Sequence, residues 1–220
     1  MSALDQLPGS ASPVLAHQGL LPPALRRDLT DLNGLYLELG LDLGAEDDPR
    51  FAWPASVGKC LRELDAPTLA RLGAGPFALF EIVIPEANAL LAGDRVEDGR
   101  TAARPGSWQA RRDSFAHQAA FLARRLVEGE PLAARVVLGL SHHVQQQLAD
   151  WRLPQLADMA RCPDLIRPRW RLHPQFWQTL AGAARRDSPR ALHWAHCIGV
   201  CLIGAEDGTG AAPPPRPPPR

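Results

Sequence analysis

The chain has 220 residues, with 45% hydrophobic and 22% charged side chains, an ordinary globular balance with room for one large domain or two of roughly 100 residues. Its 24 Lys+Arg against 24 Asp+Glu leave no net charge, which argues against autonomous nucleic-acid binding, because a basic excess supplies most of the non-specific affinity for phosphates. No apolar run approaches the roughly 20 residues of a membrane span, and Met1–Gln18 lacks the basic start and apolar stretch of a secretory signal, so a cytoplasmic location is expected. Cys60, Cys162, Cys197 and Cys201 do not have the spacing of a disulfide framework and are expected as free thiols.

In chain order, residues 1–23 are rich in Pro, Ser and Gly and read as a loose arm. Leu25 to Leu43 reads as a helix, with Leu25, Leu29, Leu32, Leu35, Tyr36, Leu39 and Leu43 at three- and four-residue steps, ended by Gly44 and the acidic run Glu46-Asp47-Asp48-Pro49. Ser56 to Leu64 fits a short helix capped by Ser56. Asp65-Ala66-Pro67 starts another, with Asp65 as cap and Pro67 in the first turn, where a missing N–H costs little. Phe77 to Ile84 is apolar and β-branched enough for a short strand, and Glu86 to Leu91 reads as a further helical turn or two. Residues 93–107 form a polar linker.

Beyond it, Trp108 to Val127 is amphipathic, with Phe115, Ala119, Leu122 and Leu126 on one face. Pro131 to Leu138 is a short helix closed by Gly139; Ser141 caps His142 to Trp151; Leu153-Pro154 restarts the chain into Gln155–Arg161. Ile166 to Leu172 reads as irregular or extended, Pro174 to Ala184 as helical, and Ser188-Pro189 caps a last helix, Arg190 to Ile203. Residues 205–220, with Gly208 and the run Pro-Pro-Pro-Arg-Pro-Pro-Pro-Arg, are expected as a disordered, polyproline-type tail. The fold class is therefore all-α, with short extended segments.

A self-match shapes the domain reading. Val57 to Leu72 can be laid over Val144 to Met159 with Val57 on Val144, Leu61 on Leu148, Leu64 on Trp151, Pro67 on Pro154 and Leu69 on Leu156. A recurring order of apolar positions around one proline points to two related units. They are placed at 24–92 and 108–204.

The second unit resembles the FlhD family, one subunit of the FlhD–FlhC bacterial transcriptional activator. The resemblance runs in order through Phe121-Leu122-Ala123-Arg124-Arg125-Leu126-Val127, then Ala133 to Ser141, then Leu153-Pro154-Gln155-Leu156-Ala157-Asp158-Met159-Ala160, and then Ala191-Leu192-His193-Trp194-Ala195-His196. It covers about Phe115 to Ile203. Leu29 to Leu37 and Leu61 to Leu72 resemble the opening and middle helices of the same family, so the chain looks like two FlhD-like units in tandem, a covalent pseudo-dimer. The resemblance implies transcriptional co-activation with an FlhC-like protein that carries much of the DNA contact and the zinc site, with promoter DNA reached mainly through that complex, in flagellar or mobile-element regulation. It also implies possible self-association through the helical units. The cysteine that some members use across their dimer has no counterpart, since Arg167 falls about there, so no such disulfide is expected.

Four sets of residues carry candidate chemistry. Leu138 to Leu148 resembles the turn and second helix of a helix-turn-helix, which would present His142, His143, Gln145 and Gln146 to a groove; the alternative is an ordinary helical corner with solvated polar residues. Arg167, Arg169 and Arg171 alternate, so on an extended segment they would share one face. With Arg185 and Arg186 they are candidates for phosphate or an acidic partner, against the alternative of a solvated edge. His193, Cys197 and Cys201 lie along one helix, where a third ligand is out of reach of the first two, so small thiols packed in the core are expected and no metal. Asp31, Glu38, Asp42, Glu46, Asp47 and Asp48 are a carboxylate cluster that a solvated helix end explains. No phosphate loop, nucleophile elbow or His-Glu-x-x-His motif occurs, so neither a catalytic role nor a cofactor is expected. The other reading is a helical adaptor or secretion-associated scaffold without DNA binding.

Overall fold

The computed structural model describes residues 20–42, 53–84, 106–162 and 164–209, with side chains to 205. The expected helix at Glu86–Leu91, most of the linker, the arm 1–19, Glu46-Asp47-Asp48 and the tail from 210 onward lie outside the described residues.

Nine helices and two short strands make up the described part: α1 (Pro23–Leu41), α2 (Ala55–Arg62), α3 (Ala66–Gly73), β1 (Phe80–Ile82), α4 (Trp108–Gly129), α5 (Pro131–Leu138), α6 (His142–Asp150), α7 (Leu153–Ala160), β2 (Ile166–Pro168), α8 (Pro174–Arg185) and α9 (Pro189–Thr209). The mostly helical expectation is met. Helix starts follow the local chemistry. Asp65 Oδ1 accepts from the Thr68 N–H (3.0 Å), Ser141 Oγ from Val144 (3.4 Å) and Ser188 Oγ from Ala191 (3.4 Å), each satisfying an orphan donor of a first turn. The bonds from Thr68 hold the Asp65 carboxyl below its ordinary value. Gly139 ends α5 in the left-handed region (φ 65°), where glycine carries no Cβ penalty.

Helix α1 ends at Leu41, two residues before the expected Leu43, with Asp42 already extended, and two other departures have a clear local cause. Ser56 does not cap α2, which starts at Ala55 after Pro54; the proline fixes the extended entry that a capping side chain would otherwise secure. Helix α9 continues through Gly204 and Gly208 to Thr209, because a glycine weakens a helix by about 1 kcal/mol, too little to end one that is otherwise favoured.

The elements recur. The register that sets Val57 on Val144 sets Ala66 on Leu153 and Gly73 on Ala160, so α3 and α7 coincide end to end and α2 and α6 start together. Helix α1 packs on α2 and α3, and α4 packs likewise on α6 and α7. The corresponding elements also meet each other. Helices α1 and α4 run antiparallel: Trp108 Nε1 donates to the Leu39 carbonyl (3.0 Å), Arg111 pairs with Asp42 at the same end, and Arg125 meets Asp28 (3.0 Å) at the other. Strands β1 and β2 pair antiparallel, Phe80 with Pro168, Glu81 with Arg167 and Ile82 with Ile166.

One continuous core runs through both segments of the chain. Its spine is a chain of aromatic rings at about 5–6 Å: Phe115–Phe80 (5.0 Å), Phe80–Tyr36 (5.7 Å), Tyr36–Trp53 (5.7 Å), Trp53–Trp177 (6.1 Å), Trp177–Trp170 (6.0 Å) and Trp170–Phe77 (5.0 Å). Each contact adds to the burial of large apolar area. Trp53 Nε1 donates to the Tyr36 hydroxyl (3.0 Å), and burial pushes that phenol well above its ordinary value. Leu35, expected on the core stripe of α1, is instead partly exposed; it lies one position off the Leu25-Leu29-Leu32-Tyr36-Leu39 line that the helix turns inward.

Asn33 pins α1 to the loop that leads into β1. Its amide donates to the Gly73 carbonyl (3.0 Å) and the Phe77 carbonyl (2.9 Å), and its oxygen accepts from the Leu79 N–H (2.9 Å). All three bonds are fully buried, so Asn33→Leu leaves one donor and two acceptors unsatisfied. At about 1–3 kcal/mol each, partly relieved by relaxation, urea unfolding should show a loss of about 3 kcal/mol or more with an unchanged m-value.

Candidate interaction surface

The nine residues singled out from sequence fall in different surroundings. His142, His143 and Gln146 are exposed on the first turns of α6, where Gln146 Nε2 lies 3.0 Å from His142 Nε2, one turn apart. Gln145 is not with them. It is buried, and its amide donates to the Leu140 carbonyl (2.8 Å). The helical period turns it toward α4 and α5, so it closes the corner between α5 and α6 instead of facing a groove.

The arginine alternation also breaks. Strand β2 ends at Pro168, and Trp170 takes a left-handed backbone (φ 54°), so the period-two geometry that would align three side chains is lost after Arg167. Arg167 stands opposite Glu81 across the sheet, where opposite charges favour the register. Arg171 is exposed on the following turn. Arg169 is 2% exposed and donates to the carbonyls of Ala78 (3.2 Å) and Val137 (2.9 Å). It is a structural cation and faces no solvent. Arg185 and Arg186 lie exposed at the end of α8, with Arg185 reaching Glu63 Oε2 (3.4 Å) next to α2. Arg71 of α3 donates to the Ala184 carbonyl (3.0 Å) nearby. Helix α6 packs on α4 and α5, whereas α8 packs on α2, α3 and α9, so the His/Gln cluster and the Arg185–Arg186 pair belong to different parts of the bundle.

Cysteine placement in α9 differs from the expectation of thiols packed in the core. Cys197 is half-buried, with Sγ 3.6 Å from His193 Nε2, while Cys201 is exposed, one helical turn further along the outer face of α9. Among the described residues no group of three or more His, Cys, Asp or Glu side chains is placed to hold a metal ion. Of the expected carboxylate cluster, Asp42 engages Arg111, so it belongs to the α1–α4 seam.

The surface that sequence periodicity did not single out is apolar. Phe121 (45% exposed) and Leu153 (68% exposed) flank a groove of about 590 Å³ between α4 and the α6–α7 junction, bordered by Arg124, Arg125, Asp150 and Arg152. A second hollow of about 290 Å³ continues from Phe121 and Arg125 to Asp28 and Asp31 of α1. Arg124 holds the groove's wall by donating to the carbonyls of Leu148 and Trp151 and pairing with Glu128. An aromatic and a leucine in a concave surface rimmed by mixed charge have the make-up of a protein-binding site, where buried aromatics and arginines supply most of the affinity. The available signal was Phe121 itself, a large apolar residue off the Phe115-Ala119-Leu122-Leu126 stripe.

Comparison with protein-family models, with curated proteins and with solved structures returned no match. Among the described residues no helix is long and apolar enough to cross a membrane.

Two measurements separate surface from scaffold. Arg169→Met takes the guanidinium donor from the buried Ala78 carbonyl and one of two donors from the Val137 carbonyl, which keeps the Ala78 N–H, and should cost about 2 kcal/mol in denaturant unfolding, whereas Arg171→Ala should stay within about 0.5 kcal/mol. In thiol labelling of the folded protein near neutral pH, Cys201 should react first. Cys162 should lag, because burial, and secondarily the charges of Asp164 and Asp158, raise its thiol above the ordinary value and so leave less of the reactive thiolate.

Proposed function

We propose that this chain is a cytoplasmic regulatory subunit built from two FlhD-like units in tandem, which acts as a transcriptional co-activator by presenting a rigid helical platform to an FlhC-like DNA-binding partner. The observation that carries the reading is the antiparallel meeting of corresponding elements. In the repeat register Glu81 falls on Arg167 within one residue, and these two residues face each other at the centre of the β1–β2 pair. Helices α1 and α4 meet in the same antiparallel sense. Like elements that meet head to tail about their own centres are what a two-fold axis generates, and that is the arrangement expected of a dimer fused into one chain. The units would then be 24–92 and 108–204, joined by 93–107.

The division of labour follows from charge. With no net charge and an electrostatic contribution to DNA affinity that scales with phosphates neutralised, the chain leaves most DNA contact to its partner. His142, His143 and Gln146 at the α6 start, and Arg171, Arg185 and Arg186, would add minor contacts. Phe121 and Leu153 supply the apolar anchors for the partner. A second reading, a helical adaptor without DNA binding, is favoured by the burial of Gln145 and Arg169, which removes two of the nine residues offered for nucleic-acid contact.

The test is co-purification of the chain with an FlhC-like protein encoded beside it, followed by a promoter shift assay. Co-elution, with DNA retarded only by the pair, supports the co-activator. Co-elution without retardation, or no complex at all, moves the assignment to the adaptor. Phe121→Glu should weaken the complex by at least about tenfold, as expected for a buried aromatic anchor, while leaving the far-UV circular dichroism and melting temperature of the free chain unchanged.

A further inference from the structure

Helix α9 is apolar on two sides. Its inner face is seated against the core through Ala195 and Ile203, with Gly199 so close to Phe77 and Phe176 that a Cβ there would lie 2.7 and 2.9 Å from their rings. It packs on α8 and α5. Yet its outer face is not polar. Trp194 is 69% exposed and Ile198 39%, and Cys201, Gly204 and Ala205 continue the exposed strip at helical spacing. From Ala191 to Ala205 the sequence contains no Asp, Glu, Lys or Arg. A helix that is hydrophobic all round is normally covered on all sides, and an exposed Trp-Ile strip is the kind of patch that marks an interface.

The charges that bracket this strip identify what covers it. Arg190 stands exposed at the N-terminal end of α9, and Arg185 and Arg186 lie just before it; the last turns contain Glu206 and Asp207. This is the reverse of what a helix prefers on its own, since its N-terminus carries partial positive and its C-terminus partial negative charge. An identical helix laid antiparallel corrects both ends. The acidic end of each copy then lies by the basic N-terminus of the other, whereas a parallel copy would set like charges together. Side-chain size gives the same answer. Antiparallel, with the crossing between Ile198 and Cys201, the bulky Trp194 of one copy faces Ala205 and Gly204 of the other, and Ile198 faces Cys201. Parallel pairing would set Trp194 against Trp194 and leave the small residues unfilled. A hollow of about 580 Å³ beside Trp194, bounded by Ser188, Arg190, Ala191 and His193, gives the opposing end room to seat.

We propose that the outer face of α9 is a self-association surface, on which a second copy of this chain docks through an antiparallel α9–α9 pair centred between Ile198 and Cys201. The contact is isologous: each residue pair occurs twice about a two-fold axis, and the assembly closes at two chains. It is carried by residues other than Phe121 and Leu153, so it stands or falls apart from the partner-binding groove.

The experiment is sedimentation velocity of the full chain over a range of concentrations at moderate salt. A species of twice the chain mass is expected, and Ile198→Glu and Trp194→Glu should each raise the dissociation constant about a hundredfold, as loss of a central apolar anchor does in both copies at once. Circular dichroism and melting curves show whether each variant remains folded, and Phe121→Glu should leave the dimer intact. Arg190→Glu should weaken the dimer, and adding Glu206→Arg and Asp207→Arg to it should restore wild-type association. A wild-type chain that stays monomeric, a dimer indifferent to Ile198→Glu, or a charge exchange that restores nothing would each overturn the proposal. In the first case a different protein, or residues 1–19 of the same chain, would be what covers the strip.

Discussion

The buried guanidinium of Arg169 ties the two segments of this protein together. Arg169 leaves β2 and turns inward, donating to the Ala78 carbonyl beside β1 and to the Val137 carbonyl at the end of α5. Burying such a cation costs several kcal/mol unless its donors are satisfied. The cost is offset by the carbonyl at a helix C-terminus, the negative end of the α5 dipole, and by the Trp170 ring 5.7 Å away. The backbone around it is committed to the same junction. The Ala78 N–H donates to the Val137 carbonyl (2.9 Å), the Arg169 N–H to the Leu79 carbonyl (3.2 Å), and Trp177 Nε1 to the Arg169 carbonyl (2.8 Å). Gly139 belongs to this set as well, because a Cβ there would lie 2.1 Å from the Arg169 guanidinium.

Asn33 is the counterpart from the first segment. It ties α1 to the turn after α3 and to the approach to β1, so the strand that Arg169 clamps is itself clamped from the other side. Between these two polar anchors runs the aromatic spine from Phe115 to Phe77. A core so connected does not let one segment move without the other, since close-packed interiors transmit displacement instead of absorbing it. The groove at Phe121 and the strip on α9 are carried by α4 and α9, two long helices whose inner faces are packed on that core. Rigid presentation lowers the ordering cost a partner must overcome.

Much of the secondary structure was legible in the chain. Asp65, Ser141 and Ser188 announced their helices because a cap is a local interaction, settled within four residues. Gly139 announced the end of α5 for the same reason. The matching limits of α2–α3 and α6–α7 follow the spacing of Val, Leu and Pro around Pro67 and Pro154. Gln145 and Arg169 do not stand where their polarity suggests because each finds a backbone carbonyl inside the fold, and Cys201 is exposed because α9 turns that face away from the core. A glutamine beside two histidines looks like a member of a polar cluster until the Leu140 carbonyl is found beneath it, and Arg169 looks like its neighbours until the left-handed turn at Trp170 breaks the alternation. Phe121 and Leu153 went unread as a pair because they sit on different helices.

The amino-acid sequence by itself therefore determined the helical class and most helix limits, since these rest on period, caps and turn residues that act over a few positions. Only the tertiary structure decided that Arg112 and Arg169 are buried, which thiol is exposed, and that β1 pairs with β2 about Glu81 and Arg167. Those outcomes depend on contacts between residues far apart in the chain, where burial, and not residue type, sets whether a side chain meets a carbonyl, a ring or water.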